Sequence, residues 1–380
     1  MSLAALLTPG CRVAVADGLG APRSASAELS RAAAGVGGVQ LVLGWLPTPD
    51  PDLDLTSYHD VAALMGGWGM RDAIRAGSAR GIPVRWSQVP GLMQGRLRPD
   101  ILLAGVVPAR DGGLTFGSEV SWMHAAVAAG AQVAAVVHHG APRAYDGPSL
   151  PAEHVVVVGE SSVPLTPLGF TAPDDVHREV ADRVAGLVPA GARIQVGPGA
   201  LGSAIMAAVT VPVRVDSGLL VDGILDLERR GLLLGTPIGT YLAGGEELLA
   251  WADGRGLLHP VEHTHDPTRL STGEPFVSIN TALEIDTQGN VGIEGPPDKP
   301  VASPGGHPDY AAAGARSAEG LSIIALPTAH RGRPALVDRL SGPVTTPGHD
   351  VDVVVTERGT ADLRGLDRVG RSRALTTLWE

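Results

Sequence analysis

The sequence has little cysteine, few aromatic residues and no long apolar run. Cys11 is the only cysteine among 380 residues, which excludes an internal disulfide and a cysteine-based zinc site. Aromatic residues make up 3%, so we expect a core of Val, Leu, Ile and Ala. No run approaches the roughly 18 apolar residues of a membrane span, and the N-terminus is a poor match to a signal peptide because it lacks a basic region. These absences predict a soluble, cytoplasmic protein.

Positive charge is also scarce relative to negative charge. The chain has 29 Lys and Arg residues against 40 Asp and Glu residues, which gives a net charge of −11. This balance lacks the basic footprint of a nucleic-acid-binding protein and provides no attraction to anionic membranes. It does not exclude a phosphate ligand, because backbone N–H groups at a helix N-terminus can hold one. The 44% hydrophobic and 18% charged residues exclude a disordered chain.

Short apolar runs alternate with helical stretches along the whole chain. Runs such as Arg12–Asp17 and Ile101–Val107 are apolar without alternation, which favours buried strands of a largely parallel sheet covered by helices on both faces. The chain is too long for one average core. A charged helix predicted over 174–187 ends at a Pro/Gly-containing turn, which indicates a domain boundary. We therefore expect two α/β domains, residues 1–188 and 189–380.

A glycine-rich string follows a predicted strand and opens a predicted helix. Gly197-Pro198-Gly199-Ala200-Leu201-Gly202 fits the pattern G-x-G-x-x-G. Its glycines let the backbone approach a phosphate, and the helix N-terminus favours negative charge. Asp216 lies 19 residues after Gly197, near the place of a ribose-binding acid. From this motif alone a tight turn without a ligand, a site for a phosphate-bearing ligand and an NAD(P)-dependent Rossmann oxidoreductase all remain open.

Two histidine patterns are weak candidates for metal sites. His259-Pro260-Val261-Glu262-His263 matches an inverted zinc-protease string, but its proline predicts a loop, whereas that motif needs one helix. Adjacent residues on a strand, such as His138 and His139, point to opposite faces. We therefore predict no metal site.

Three features of the second half carry candidate chemistry. The turn Gly305-Gly306 followed by His307 offers N–H donors to an oxyanion with a titratable group beside them, or it is a Pro/Gly surface turn. Glu284 and Asp286 place carboxylates at the end of an apolar run. The charges of Val353–Gly365 either mark a site or cap and solvate a helix.

Taken together, five strings carry a family resemblance. They are IQVGPGALGSAI, DSGLLVDGILDLERRG, FVSINTALEID, SPGGHPDY and VDVVVTERGTADLRG. Their order and approximate spacing resemble those of the acetyl-CoA hydrolase / 4-hydroxybutyrate CoA-transferase family, and DILLAGVVPARDGGLTFGSEV extends the resemblance to the first half. The resemblance implies two CoA-transferase-like α/β domains with the active site at their interface, a homodimer, acyl-CoA as the substrate and possibly a small carboxylate as acceptor.

The resemblance also implies roles for particular residues. The glycine-rich loop of the family contacts coenzyme A, which places Gly197, Pro198, Gly199, Ala200 and Leu201 on that ligand. The Gly-Gly turn supplies an oxyanion-hole N–H, here from Gly305 or Gly306. The nearest match to a basic residue that meets the coenzyme is Arg331.

The family's catalytic residue is missing. Transferases of the family use a glutamate in a string like H-S/T-E-M-x-S-D-G, which attacks the thioester and becomes a glutamyl-CoA thioester. The matching string here is Asp216-Ser217-Gly218-Leu219-Leu220-Val221-Asp222-Gly223. Gly218 therefore stands at the glutamate position, and Asp216 stands at the position of the preceding histidine.

Three alternatives follow from Gly218. Asp216 has taken over as nucleophile, or a water activated by His307, Asp216 or Glu284 cleaves the thioester, or the protein binds acyl-CoA without turnover. We favour an enzyme, an acyl-CoA hydrolase or CoA-transferase, in which water-dependent cleavage is assisted by the N–H groups of Gly305 and Gly306. The sequence does not identify the acyl group.

Overall fold

The apolar runs of the sequence form strands, and the chain divides these strands between two units. The structure, a computed structural model, describes residues 2–297, 299–330 and 332–380. The first unit comprises the chain up to Leu168 together with Gly239–Glu262, and the second comprises Gly169–Ile238 with His263–Glu380. These units differ from the predicted domains, 1–188 and 189–380. The predicted boundary helix lies in the second unit, and an internal segment returns to the first.

The first unit is built around a mostly parallel sheet. Its strands are β1 (Arg12–Val15), β2 (Gln40–Leu43), β3 (Asp60–Ala63), β4 (Arg80–Gly81), β5 (Ile101–Pro108), β6 (Leu114–Thr115), β7 (Gln132–His138) and β8 (Val155–Ser161). The helices of its first segment, the chain up to Leu168, are α1 (Ser26–Val36), α2 (Arg71–Arg75), α3 (Val89–Gln94) and α4 (Met123–Ala128). The strand order is β4-β3-β2-β1-β5-β7-β8, with β6 antiparallel on β5. The order reverses between β1 and β5, as in doubly wound α/β folds.

Two carboxylates are buried at the carboxyl end of β1 in the first unit. Asp17 accepts hydrogen bonds from the Tyr241 hydroxyl (2.7 Å), the Trp122 indole (3.0 Å) and the backbone N–H of Trp45 (3.1 Å). Glu119 accepts from the backbone N–H of Gly20 (2.9 Å) and the Ser118 hydroxyl (2.7 Å). Burial raises the pKa of Asp17 to about 6 and that of Glu119 to about 8. Glu119 is therefore mostly protonated at neutral pH.

Glu119→Gln is expected to remove part of the pH dependence of stability. The pKa of Glu119 is about 4.3 in the unfolded chain and about 8 in the folded protein. At a pH between these two values, the folded protein holds a proton on Glu119 that the unfolded chain has lost. The stability contributed by neutral Glu119 is thus full below about pH 4 and is lost as the pH rises through 8, by roughly 1.4 kcal/mol per pH unit. Thermal unfolding midpoints should fall from pH 5 to pH 8 in the wild type and fall less in Glu119→Gln. Equal slopes would contradict the buried protonated state.

The second unit begins with a helix and a strand–helix–strand sequence. Its first elements are α5 (Asp175–Ala185), β9 (Arg193–Val196), α6 (Ala200–Ala208), β10 (Arg214–Val215), β11 (Leu219–Leu220) and α7 (Gly223–Arg229). The segment that returns to the first unit then forms β12 (Tyr241–Leu242) and α8 (Glu246–Ala252).

The remaining elements complete the second unit, except that Val261 and Glu262, which begin the first of these helices, belong to the first unit. They are α9 (Val261–Thr264), α10 (Pro267–Leu270), β13 (Phe276–Thr281), β14 (Glu284–Asp286), β15 (Val291–Gly292), α11 (His307–Arg316), β16 (Leu321–Ala325), β17 (Ala329–His330), β18 (Arg333–Pro334), β19 (Leu336–Val337), β20 (Val353–Thr356), β21 (Gly359–Asp362) and α12 (Arg368–Trp379). The main sheet has the order β10-β9-β13-β16-β20-β21, and only β21 in it runs antiparallel. The predicted fold class, α/β with largely parallel sheets, is confirmed.

One local expectation is wrong, and one of two alternatives left open by the sequence is excluded. The string containing His259 and His263 is not entirely a loop, because Val261–Thr264 forms one helical turn. Pro260 precedes that turn, where a missing N–H is tolerated. The charges of Val353–Gly365 do not cap a helix but lie on the β20–β21 hairpin, where Asp362 pairs with Arg364 at 2.7 Å. Among the described residues, no helix is long and apolar enough to cross a membrane.

Candidate functional site

Three parallel strands of the second unit end at one edge of its main sheet. β10 and β13 flank β9, with Val215 paired to Ile194 and Ile279 paired to Val196. Because the carboxyl ends of parallel strands meet at the same edge, the segments after these strands come together there. These segments are the glycine-rich loop after β9, the string Asp216-Ser217-Gly218 after β10, and the end of β13 at Thr281.

The glycine-rich loop has the strand–turn–helix context that its motif requires. β9 ends at Val196, and α6 begins at Ala200 with Gly199 as its N-cap residue. Gly199 has φ 115°, a conformation that L side chains rarely adopt. A Cβ at Gly202 would overlap the carbonyl oxygen of Gly197, so the helix packs too closely on the turn for a larger residue. The loop thus presents backbone N–H groups at a helix N-terminus, the geometry that suits a phosphate.

Gly218, at the position of the missing glutamate, faces two aromatic side chains. A Cβ built on Gly218 would lie 3.2 Å from the Tyr310 hydroxyl oxygen and 3.3 Å from Cε1 and Nε2 of His265. Both side chains are buried, each 3% exposed. Their rings also contact each other, with centroids 4.7 Å apart. A side chain at position 218 would therefore press against His265 and Tyr310.

The Gly-Gly turn lies on the same histidine. A Cβ built on Gly306 would be 2.5 Å from Nε2 of His265 and 2.8 Å from the Tyr310 ring. Gly306 is the N-cap residue of α11, which begins at His307. The structure therefore brings together the turn and Gly218, with the His265 imidazole beside both. His265 and Tyr310 are absent from the candidates chosen from the sequence.

Asp216 belongs to a buried ion pair. Its side chain is 2% exposed, and its two oxygens accept from the Arg269 guanidinium at 2.7 and 2.8 Å. Arg193 adds a longer contact at 3.5 Å. Both carboxylate oxygens are therefore occupied by a guanidinium, whereas a nucleophile needs an oxygen directed at the substrate.

Both ring nitrogens of His307 have partners within the protein. Nε2 lies 3.1 Å from the carbonyl oxygen of Thr281, and Nδ1 lies 2.7 Å from the Thr346 hydroxyl. Burial lowers the pKa of His307 to about 4, so the ring is neutral at pH 7. A carbonyl only accepts, so Nε2 carries the proton and Nδ1 accepts from Thr346. In this arrangement no lone pair of the ring is available to a water.

Glu284 and Arg331 complete the predicted site residues. Glu284 lies on β14, where its carboxylate accepts from the backbone N–H (2.5 Å) and the hydroxyl (2.8 Å) of Ser341. It thereby fixes a loop next to its strand. Arg331 lies outside the residues that the structure describes. Within the described ranges, no three His, Cys, Asp or Glu side chains are grouped so that they could hold a metal ion.

Comparisons with known proteins bear on both halves of the chain. Residues 244–378 match the family model of the acetyl-CoA hydrolase/transferase C-terminal domain. The 4-hydroxybutyrate coenzyme A transferase of Clostridium kluyveri is 28% identical over 334 residues, 83% of this chain and 78% of that protein. The butyryl-CoA:acetate CoA-transferase of Anaerostipes caccae is 25% identical over 360 residues, 88% of this chain and 79% of that protein.

Solved structures of the same architecture cover nearly the whole chain. RipA from Yersinia pestis superposes with a TM-score of 0.87 at 22% identity, over 98% of this chain and 91% of that one. A 4-hydroxybutyrate CoA-transferase from Porphyromonas gingivalis gives 0.74 at 23% identity, over the same shares. At these identities the likeness concerns the fold alone. The sequence matches add that residues 244–378 are similar to the acetyl-CoA hydrolase/transferase C-terminal domain and that most of the chain is similar to CoA-transferases.

Proposed function

We propose that this protein binds a short-chain acyl-CoA and cleaves its thioester with water. The observation that carries the proposal is that the Gly-Gly turn lies beside the same His265 imidazole as Gly218, the position that the resemblance gives to the nucleophile. The glycine-rich loop follows the strand next to the one that precedes Gly218. The names of the relatives, which refer to 4-hydroxybutyrate and to butyryl-CoA with acetate, support a short acyl group and an enzymatic role.

The proposed roles follow from the geometry of the second unit. Gly197, Pro198, Gly199, Ala200 and Leu201 hold the coenzyme through backbone N–H groups at the N-terminus of α6. From the family resemblance, and not from the geometry, we also propose that Arg331 contributes a positive charge to the same ligand. The N–H groups of Gly305 and Gly306 receive the charge that develops on the thioester oxygen, since donors fixed before the reaction stabilise an oxyanion strongly.

Water is favoured over covalent transfer because the available carboxylates are engaged. Transfer through the protein needs a carboxylate that attacks the thioester and is itself converted to a CoA thioester. Asp216 is held by Arg269, and Glu284 is held by Ser341. Gly218 offers no side chain at all. Direct attack by water requires none of these groups to leave its partner.

The proposal extends to assembly and location. We propose a homodimer, which the family resemblance implies, and a cytoplasmic protein, which the sequence predicts. Light scattering on the purified protein tests the first, with an expected mass of twice 38.9 kDa.

Thiol release from acyl-CoAs tests the function. Purified protein is incubated with acetyl-, propionyl-, butyryl- and 4-hydroxybutyryl-CoA, with and without acetate or succinate. Thiol is measured colorimetrically, and acyl-CoA species are followed by mass spectrometry. We expect thiol release without an added carboxylate and no new acyl-CoA when one is added.

Other outcomes identify the alternatives. A new acyl-CoA without net thiol release would mean that transfer persists, and Asp216 would be tested first as its nucleophile. Neither product, with CoA raising the unfolding midpoint, would leave a non-catalytic acyl-CoA-binding protein. A midpoint raised by NAD(H) but not by CoA would favour a Rossmann oxidoreductase.

A further inference from the structure

Two buried side chains meet at Gly218 and have no role in the function proposed so far. His265 follows α9, and Tyr310 lies in the first turns of α11. They come from segments 45 residues apart in sequence and are brought together beside Gly306. The family's nucleophile would occupy the place that they enclose.

The imidazole of His265 is neutral and has one nitrogen directed at the two glycines. Burial, together with the nearby charge of Arg269, lowers the pKa of His265 to about 3. Nδ1 lies 2.9 Å from the Thr264 hydroxyl. Nε2 is the atom nearest to a Cβ built on Gly306, and it also borders Gly218. In the tautomer that carries its proton on Nδ1, the ring donates to the Thr264 hydroxyl and presents a lone pair at Nε2.

The hydroxyl of Tyr310 is buried without a hydrogen-bond partner among the described residues. Burial and the negative charges of Asp216 and Asp309 raise its pKa well above the ordinary value, so the oxygen keeps its proton. A buried polar atom without a partner is costly, and native proteins keep few of them. This hydroxyl borders Gly218, where it can bond to a group that enters beside His265.

We propose that His265 is the catalytic base of thioester cleavage and that the Tyr310 hydroxyl holds the attacking water beside its Nε2. This inference rests on the proposed function. A water that donates to Nε2 of His265 and accepts from the Tyr310 hydroxyl then replaces the nucleophilic glutamate of the family. Gly218 is then required, because any side chain there would displace that water.

The step balances as a hydrolysis. The water oxygen forms a bond to the thioester carbonyl carbon, Nε2 of His265 takes a proton from the water, and the carbonyl electron pair moves onto oxygen. That oxyanion faces the N–H groups of the Gly305–Gly306 turn. Its collapse breaks the C–S bond, and the sulfur leaves with the proton from Nε2. The products are a carboxylic acid and CoA thiol. The oxyanion forms as the ring becomes charged, which offsets the cost of burying imidazolium.

The other titratable groups of the site are less suited to this role. His307 has both ring nitrogens engaged, and Asp216 has both oxygens on Arg269. His307 would have to give up a hydrogen bond to accept a proton, and protonation of Asp216 would weaken its buried ion pair with Arg269. No donor to Nε2 of His265 is among the hydrogen bonds described above.

Substitution of His265 tests the proposal against a matched control. His265→Gln is expected to lower kcat for thiol release at least about 100-fold, the usual contribution of a general base, with KM changed less than about threefold. Tyr310→Phe is expected to lower kcat roughly tenfold. His349→Gln, which changes an exposed histidine of the same unit, should leave both parameters unchanged. Stabilisation of the folded protein by CoA should be retained in all three variants.

Chemical rescue separates a base from a structural histidine. In His265→Ala, added imidazole should restore part of the rate, and the rescue should increase with pH as imidazole loses its proton. His265→Gln with kcat within threefold of the wild type, or the absence of pH-dependent rescue in a His265→Ala protein that still binds CoA, would overturn the assignment. If the wild-type protein releases no thiol, both the proposed hydrolysis and the role of His265 are overturned. If the wild type and the His265 variant are both active, only the role of His265 as the base is overturned.

Discussion

Gly218→Glu is expected to abolish thiol release rather than to create an active CoA-transferase. The new Cβ would lie 3.2 Å from the Tyr310 hydroxyl oxygen and 3.3 Å from the His265 ring, closer than most Cβ contacts in proteins. The carboxylate would extend from a position that is itself buried. Overpacking a core costs about 1–3 kcal/mol, and an unpaired buried charge adds to this. We expect a lower unfolding midpoint, a rate reduced at least about 100-fold and no carboxylate-dependent formation of new acyl-CoA.

A glycine in open surroundings provides the control for Gly218→Glu. Gly169 is exposed, and a Cβ built on it would meet nothing within 4 Å. Gly169→Glu should keep the activity and the unfolding midpoint of the wild type. The double variant Gly218→Glu/His265→Ala removes the imidazole and should recover part of the lost stability. Carboxylate-dependent exchange in the single variant would contradict the packing described around Gly218.

Arg269→Met is expected to destabilise the second unit strongly. The Arg269 guanidinium donates to both oxygens of Asp216, whose side chain is 2% exposed. Of the contacts described for this carboxylate, the variant would retain the one with Arg193 at 3.5 Å. Removing one partner of a buried pair leaves an uncompensated charge and costs about 3–5 kcal/mol. Because Arg193 still contacts Asp216, we expect the free energy of unfolding to fall by about 3 kcal/mol, the lower end of this range. At roughly 2–4 °C per kcal/mol, the unfolding midpoint should fall by about 6–12 °C.

A surface ion pair of the same type gives the comparison. Arg364 pairs with Asp362 at 2.7 Å, but both side chains are about half exposed. Arg364→Met should therefore cost at most about 1 kcal/mol. Adding Asp216→Asn to Arg269→Met removes the stranded charge and should restore part of the stability. If Arg269→Met and Arg364→Met lowered the midpoint equally, Asp216 would not depend on its guanidinium, and its exclusion as a nucleophile would lose its support.

Local sequence patterns predict the elements well because those elements are encoded locally. The strand expected before the glycine-rich string is present as Arg193–Val196, a short segment between a turn and that loop. Ile101–Pro108 begins where predicted, because its uninterrupted apolar residues are buried on both faces. The strand–turn–helix around Gly199 follows from its glycines in the same way.

The composition of the site depends on contacts that no local pattern encodes. His265 meets Gly218 and Gly306 through contacts between segments that lie far apart in the sequence. Asp216 was recognised as an acid, but its partner Arg269 lies 53 residues away. A single sequence contains one weak signal for this region. Asp266 followed by Pro267 predicts a helix start, which would have placed His265 at the entrance to α10 rather than in a loop.

The return of Gly239–Glu262 to the first unit has a consequence for how the protein is made. The Tyr241 hydroxyl that donates to buried Asp17 is synthesised 224 residues after it. Domains usually fold in the order in which they leave the ribosome. Here residues 169–238, which belong to the second unit, emerge before the first unit has received its last strand and helix. The first unit therefore cannot be completed during synthesis until part of the second unit has already emerged from the ribosome.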